Sequence, residues 1–185
     1  GSARQILEAL RRRNEEAGWP ERIFFVGHSL GGAVLLRLLG SAEFREDYPG
    51  IFDRVDSAML IAPLEFAVNR SSVMMDKLSR MGAFKVKLGR VSGVFREKVA
   101  RELTLSAEKP EWVLKLDVDR LLNAFDGKPA RLSTQAIIRQ AVPFEETGRP
   151  DWETIETLVG DYANVDVPVL LLWGRRDETL PLSMG

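Results

Sequence analysis

The sequence predicts an α/β fold: a parallel sheet interrupted by a large all-helical insertion. Three observations carry that expectation. A continuously apolar run at residues 23–26 (IFFV) leads through a glycine-rich turn into an apolar helix. Two more strand-sized segments follow, residues 56–62 (DSAMLIA) and 167–173. The long stretch between these two holds helical patterns and no convincing strand.

In chain order, residues 3–17 place Ile6, Leu7 and Leu10 at helical spacing among charged side chains, and Gly18-Trp19-Pro20 supplies the stop. A surface helix is expected there. The short unbroken run IFFV has the pattern of a parallel strand covered on both faces. Residues 27–32 form the turn, and Ala33 to Leu39 continue as a helix. Pro63 ends the second strand, and Pro168 sits near the start of the third, where a missing N–H is tolerated. Helices are expected near residues 71–80, 95–105, 111–125, 130–141 and 152–162, all within the insertion. No internal repeat or low-complexity segment is present.

The charge balance, 26 Lys and Arg against 27 Asp and Glu, predicts no nucleic-acid partner. No apolar run approaches the ~18 residues of a membrane-spanning helix. The absence of cysteine excludes a disulfide, a thiolate metal site and a cysteine nucleophile, and suits the reducing cytoplasm. Between Lys77 and Arg101 eight basic residues face one acidic residue, Glu97. This is read as a solvated helical face. The alternative is attraction to an anionic substrate or a membrane surface.

Gly27-His28-Ser29-Leu30-Gly31 matches G-x-S-x-G between a buried strand and an apolar helix, the context in which that pattern has a physical purpose. A strand that turns at once into a helix forces the serine into a strained backbone, and neighbouring β-carbons would crowd it. Glycines at 27, 31 and 32 answer that need. The helix that begins at the serine directs its first N–H groups and positive dipole end at the hydroxyl. The backbone N–H of Leu30 is then placed to hold a developing oxyanion, an interaction worth about 3 to 4 kcal/mol per donor.

On these residues the sequence resembles an α/β-hydrolase. VGHSLGG is similar to that family's nucleophile elbow. Residues 169–181, a core strand ending in W-G-x-x-D-x-x-x-P, resemble the strand and loop that carry its triad acid, which places the acid at Asp177. The family order, serine before acid before histidine, fits. Glu65, just past the second strand, is the alternative acid position. The sole histidine, His28, adjoins the nucleophile, and adjacent side chains leave an extended backbone on opposite sides. Its place in the family pattern is structural, with Gly27, Gly31 and Gly32.

The resemblance implies a partial α/β-hydrolase core with a helical lid, partitioned as core over 1–63, lid over 64–165 and core over 166–185. It implies a serine hydrolase that cleaves an ester, thioester or activated carbon–carbon bond through an acyl-enzyme. Ser29 would be the nucleophile, Leu30 the oxyanion donor and Asp177 the acid. The histidine would come from outside these residues, so that this segment alone is expected to be inactive. The first strands are likewise expected upstream. No metal or organic cofactor is called for. The expected partner is a small hydrophobic acyl compound held between elbow and lid, where Phe66, Met74, Met75, Met81, Phe84, Trp112 and Phe125 are available. The alternative is a non-catalytic α/β-hydrolase-like binding protein for small molecules.

Overall fold

The computed structural model describes residues 1–64, 97, 100–101, 111–123, 127–177 and 180–184. Along these the elements are α1 (Ser2–Ala17), β1 (Ile23–His28), α2 (Leu30–Gly40), α3 (Ala42–Asp47), α4 (Pro49–Phe52), β2 (Val55–Ile61), α5 (Glu111–Asn123), α6 (Gly127–Ala141), α7 (Trp152–Asp161) and β3 (Val169–Leu172). Single 3-10 turns lie at Tyr162–Asn164 and Leu182–Met184. The chain forms two compact units, one of residues 1–66 and 151–173, the other of residues 67–150 and 174–185.

The first unit contains the sheet, ordered β1-β2-β3 with both pairings parallel. The expected α/β class and the three expected strands are therefore present. β1 runs two residues further than the apolar run that announces it, because Gly27 and His28 pair with Leu60 and Ile61. One hydrophobic cluster joins Leu7 of α1, Ile23 and Phe25 of β1, Leu35, Leu38 and Leu39 of α2, and Val55, Ala58 and Leu60 of β2. Side chains of this size contribute about 1.5–3 kcal/mol each when fully buried.

The strand pattern differs from expectation in one respect. β1 alternates strictly between buried and exposed, leaving Phe24 60% and Val26 66% exposed, and all four residues of β3 are exposed. An unbroken apolar run does not distinguish a strand covered on both faces from one covered on a single face.

Polar ties fix how α1 and the approach to β3 lie on this core. Arg4 of α1 pairs with Glu43 at 2.6 Å and Asp47 at 3.3 Å, and the Tyr48 hydroxyl donates to Glu8. Arg45 donates to the Asp166 carboxylate at 2.8 Å and to the carbonyls of Asn164 and Leu39 at 3.2 and 3.3 Å. Gly40 permits the end of α2 to meet the end of α7: a β-carbon there would lie 2.6 Å from the Asp161 carbonyl oxygen. Ser41 caps α3 by accepting from the Phe44 N–H, and Asp151 caps α7 through Thr154.

In the second unit α5 and α6 correspond to the helices expected near 111–125 and 130–141, and Val118, Ala141 and Val142 are buried. The helices expected near 71–80 and 95–105 lie outside the described residues, except that Glu97, Ala100 and Arg101 are helical. Glu65 and the lid positions Phe66, Met74, Met75, Met81, Phe84 and Phe125 also lie outside them, as does most of the basic stretch. Trp112 is 68% exposed. No described helix is long and apolar enough to cross a membrane.

Candidate active site

β1 ends at His28 and α2 begins at Leu30, so one residue, Ser29, converts strand into helix. It does so at φ 51 and ψ −121, backbone that L-residues with a β-carbon rarely adopt and that costs on the order of 1–3 kcal/mol. Hydrogen bonds hold it from both sides. The Ser29 N–H donates to the Ile61 carbonyl at 2.9 Å. The Ser29 carbonyl accepts from Ala33, its own first helical turn, at 3.2 Å, and from Leu64 at 2.9 Å. Ser29 thus sits outside the regular helix, as its N-cap residue, and is partly buried.

The glycines of the motif divide into two kinds. At Gly27 a β-carbon would lie 2.7 Å from both the Gly31 carbonyl oxygen and Leu35 Cδ1, and at Gly32 it would lie 2.8 Å from Pro63 Cβ. These two allow α2 to close on β1 and on the end of β2. At Gly31 no described atom would lie within 4 Å. His28 is paired through its backbone with Ile61, and its side chain is exposed on the face that carries Phe24 and Val26. Leu30 occupies the first position of α2, where helix geometry provides the N–H with no acceptor within the helix.

The neighbouring strand ends in a second unusual residue that sequence reasoning did not find. Ala62, directly after β2, has φ 39, and its N–H donates to the Leu172 carbonyl of β3 at 2.9 Å. An alanine carries no sequence signal for such a backbone; only Pro63 marks the strand's end. Ser29, Ala62 and Trp173 therefore follow the carboxyl ends of three adjacent parallel strands, the edge at which open α/β sheets bind ligands.

Asp177 belongs to the other compact unit. Its N–H donates to the Gly174 carbonyl at 3.1 Å, and its Oδ1 accepts from the N–H of the buried Leu180 at 2.9 Å. The carboxylate thereby closes the turn that follows Trp173 and is itself half-buried. Among the described residues no cluster of three or more His, Cys, Asp or Glu side chains is arranged to hold a metal ion.

The chain is similar to a crystal structure of a protein from Acinetobacter baumannii AYE designated a candidate lipase, with 19% identity and a TM-score of 0.54. That match covers 98% of this chain and 53% of the other, so the chain spans about half the length of that structure. No curated protein matches it significantly. A sequence profile of the alpha/beta hydrolase fold matches residues 3–185. With that match over nearly its whole length and a parallel sheet whose first strand turns through a strained serine into a helix, the chain belongs to the α/β-hydrolase fold family.

Proposed function

We propose that this chain is the nucleophile-bearing part of a serine hydrolase that cleaves an ester, thioester or activated carbon–carbon bond through an acyl-enzyme. The observation that carries the reading is Ser29 at φ 51 between β1 and α2, directly ahead of the first N–H groups of an apolar helix. Such a junction raises a hydroxyl above the sheet edge and faces it with oxyanion donors. The resemblance to a candidate lipase supports acyl substrates.

In this reading Ser29 Oγ attacks the carbonyl carbon while its proton passes to a histidine from outside these residues. The Leu30 N–H donates to the resulting oxyanion. Collapse of the tetrahedral intermediate expels the leaving group, which takes the proton from the histidine. Water then attacks the acyl-enzyme by the same path and restores Ser29 Oγ–H. Asp177 orients the base and stabilises its charged form. His28, adjacent to Ser29 and directed along the exposed face of β1, stays outside the proton path. The substrate proposed is a small hydrophobic acyl compound.

The second reading is a non-catalytic binder of small molecules, because the fold by itself does not fix an activity. A fluorophosphonate separates the two. Covalent labelling of Ser29 in the full-length protein, abolished by Ser29→Ala, is expected for the hydrolase. A full-length protein that resists labelling is the binder.

A further inference from the structure

The two peptide units that flank Ser29 are both held by β2 and the residues just past it. The unit between His28 and Ser29 is fixed by the Ser29 N–H donating to Ile61 at 2.9 Å, and the unit between Ser29 and Leu30 by the Leu64 N–H donating to the Ser29 carbonyl at 2.9 Å. A trans peptide is planar, so the Ser29 carbonyl and the Leu30 N–H share one rigid plate and point in opposite directions. Whatever sets the direction of that carbonyl also aims the Leu30 N–H.

The helix's own bond to this carbonyl, from Ala33, is the longer of the two at 3.2 Å. Leu64 is placed to make the shorter one by the preceding turn. Ala62 bends the chain at φ 39 while its N–H stays on the sheet ladder, bonded to Leu172. Pro63, buried, closes on Gly32, where a β-carbon would meet its Cβ at 2.8 Å. A strained alanine, a buried proline against a glycine and a shared carbonyl thus converge on one peptide plate.

We propose that Ala62, Pro63 and Leu64 form a positioning clamp that orients the Leu30 N–H, and with it the oxyanion donor, through the Ser29 carbonyl. The proposal rests on the serine-hydrolase reading above. The three act through the Ser29–Leu30 peptide, which the Leu64 N–H reaches at the Ser29 carbonyl. Loss of the clamp therefore slows the acylation step while leaving ground-state binding in place, since an oxyanion donor acts on the transition state.

The test compares Leu64→Pro, which deletes the donating N–H, with Leu64→Ala, which keeps it, in the full-length protein reacting with a fluorophosphonate. For L64P the maximal inactivation rate is expected to fall about tenfold or more with the reversible binding constant little changed, because losing or misplacing one oxyanion donor costs about 100- to 1000-fold and the bond from Ala33 retains part of the aim. L64A is expected to react at close to the wild-type rate. If L64P folds poorly, an ester in place of the Pro63–Leu64 amide removes the same N–H with the side chain intact, and the same fall is expected. Equal rates for the N–H-deleted protein and L64A overturn the clamp while the hydrolase reading stands. A wild-type protein that never labels overturns the hydrolase reading and the clamp's purpose together.

Discussion

Gly32 meets Pro63 so closely that a β-carbon on the glycine would lie 2.8 Å from the proline Cβ and 3.0 Å from its Cα. Both are held by backbone, one in α2 and the other past β2, so neither can step aside cheaply. Gly32→Ala is expected to destabilise the protein by about 1–3 kcal/mol, the usual cost of overpacking. Gly31→Ala, one position away and facing no described atom within 4 Å, is expected to be neutral or to stabilise by up to ~1 kcal/mol through helix propensity. Urea titration of the two variants measures the contrast, and equal effects would show that the contact is not tight in solution.

Strain at the nucleophile gives a second prediction. Ser29 holds φ 51 with a β-carbon present, and glycine accepts that backbone without the steric penalty. Ser29→Gly and Ser29→Ala both delete the hydroxyl, so both are expected to abolish labelling. They should differ in stability, with the glycine variant the more stable by about 1 kcal/mol, because alanine keeps the strain. Unfolding midpoints decide it. An alanine variant at least as stable as the glycine variant means that Ser29 is relaxed.

The positions that were legible in the sequence are those where packing leaves a mark on residue type. Gly27 and Gly32 must be glycine, and with the apolar runs on either side they locate the turn in the sequence. Ala62 left no mark, since its φ of 39 is imposed by the sheet ladder and by Pro63, and not by its own preference. α6 starts at Gly127, three residues before the periodic pattern, because Lys128 and Pro129 fall in the first turn, where helix N–H groups need no internal partner. α3 and α4 are too short to show a period and rest on a Ser41 cap and on Pro49 in the first turn. The exposure of Phe24 and Val26 was hidden too, since an apolar side chain does not report what covers it.

Asp177 allows its chemical and structural roles to be separated. Its Oδ1 accepts from the Leu180 N–H, a bond that an asparagine carbonyl can also accept. Asp177→Asn should therefore keep the turn and the stability. If the carboxylate orients the base, hydrolysis should still fall by about 10⁴-fold. Asp177→Ala should lose both activity and some stability. An active Asp177→Asn protein would leave Asp177 as a turn former and return attention to Glu65.

The bond from the Tyr48 hydroxyl to Glu8 links the junction of α3 and α4 to α1 and makes stability depend on pH at two ends. That bond, helped by Arg11 at 2.9 Å, holds the Glu8 carboxyl below its ordinary value of 4.5. The folded state then binds a proton less readily than the unfolded chain, so this contribution is present above 4.5 and is lost as pH falls through the depressed value. The same bond, and then burial, push the Tyr48 hydroxyl above its ordinary value of 10.0. Here the folded state keeps its proton longer, so the contribution is present below 10.0 and is lost as pH rises through the raised value. Tyr48→Phe should therefore lower stability most on the plateau between these limits, remove the alkaline loss and leave only the part of the acid loss that Arg11 supports. Unfolding free energies of wild type and Tyr48→Phe across the pH range test this. A difference between them that stays flat through both limbs means that the pair does not titrate as a linked unit.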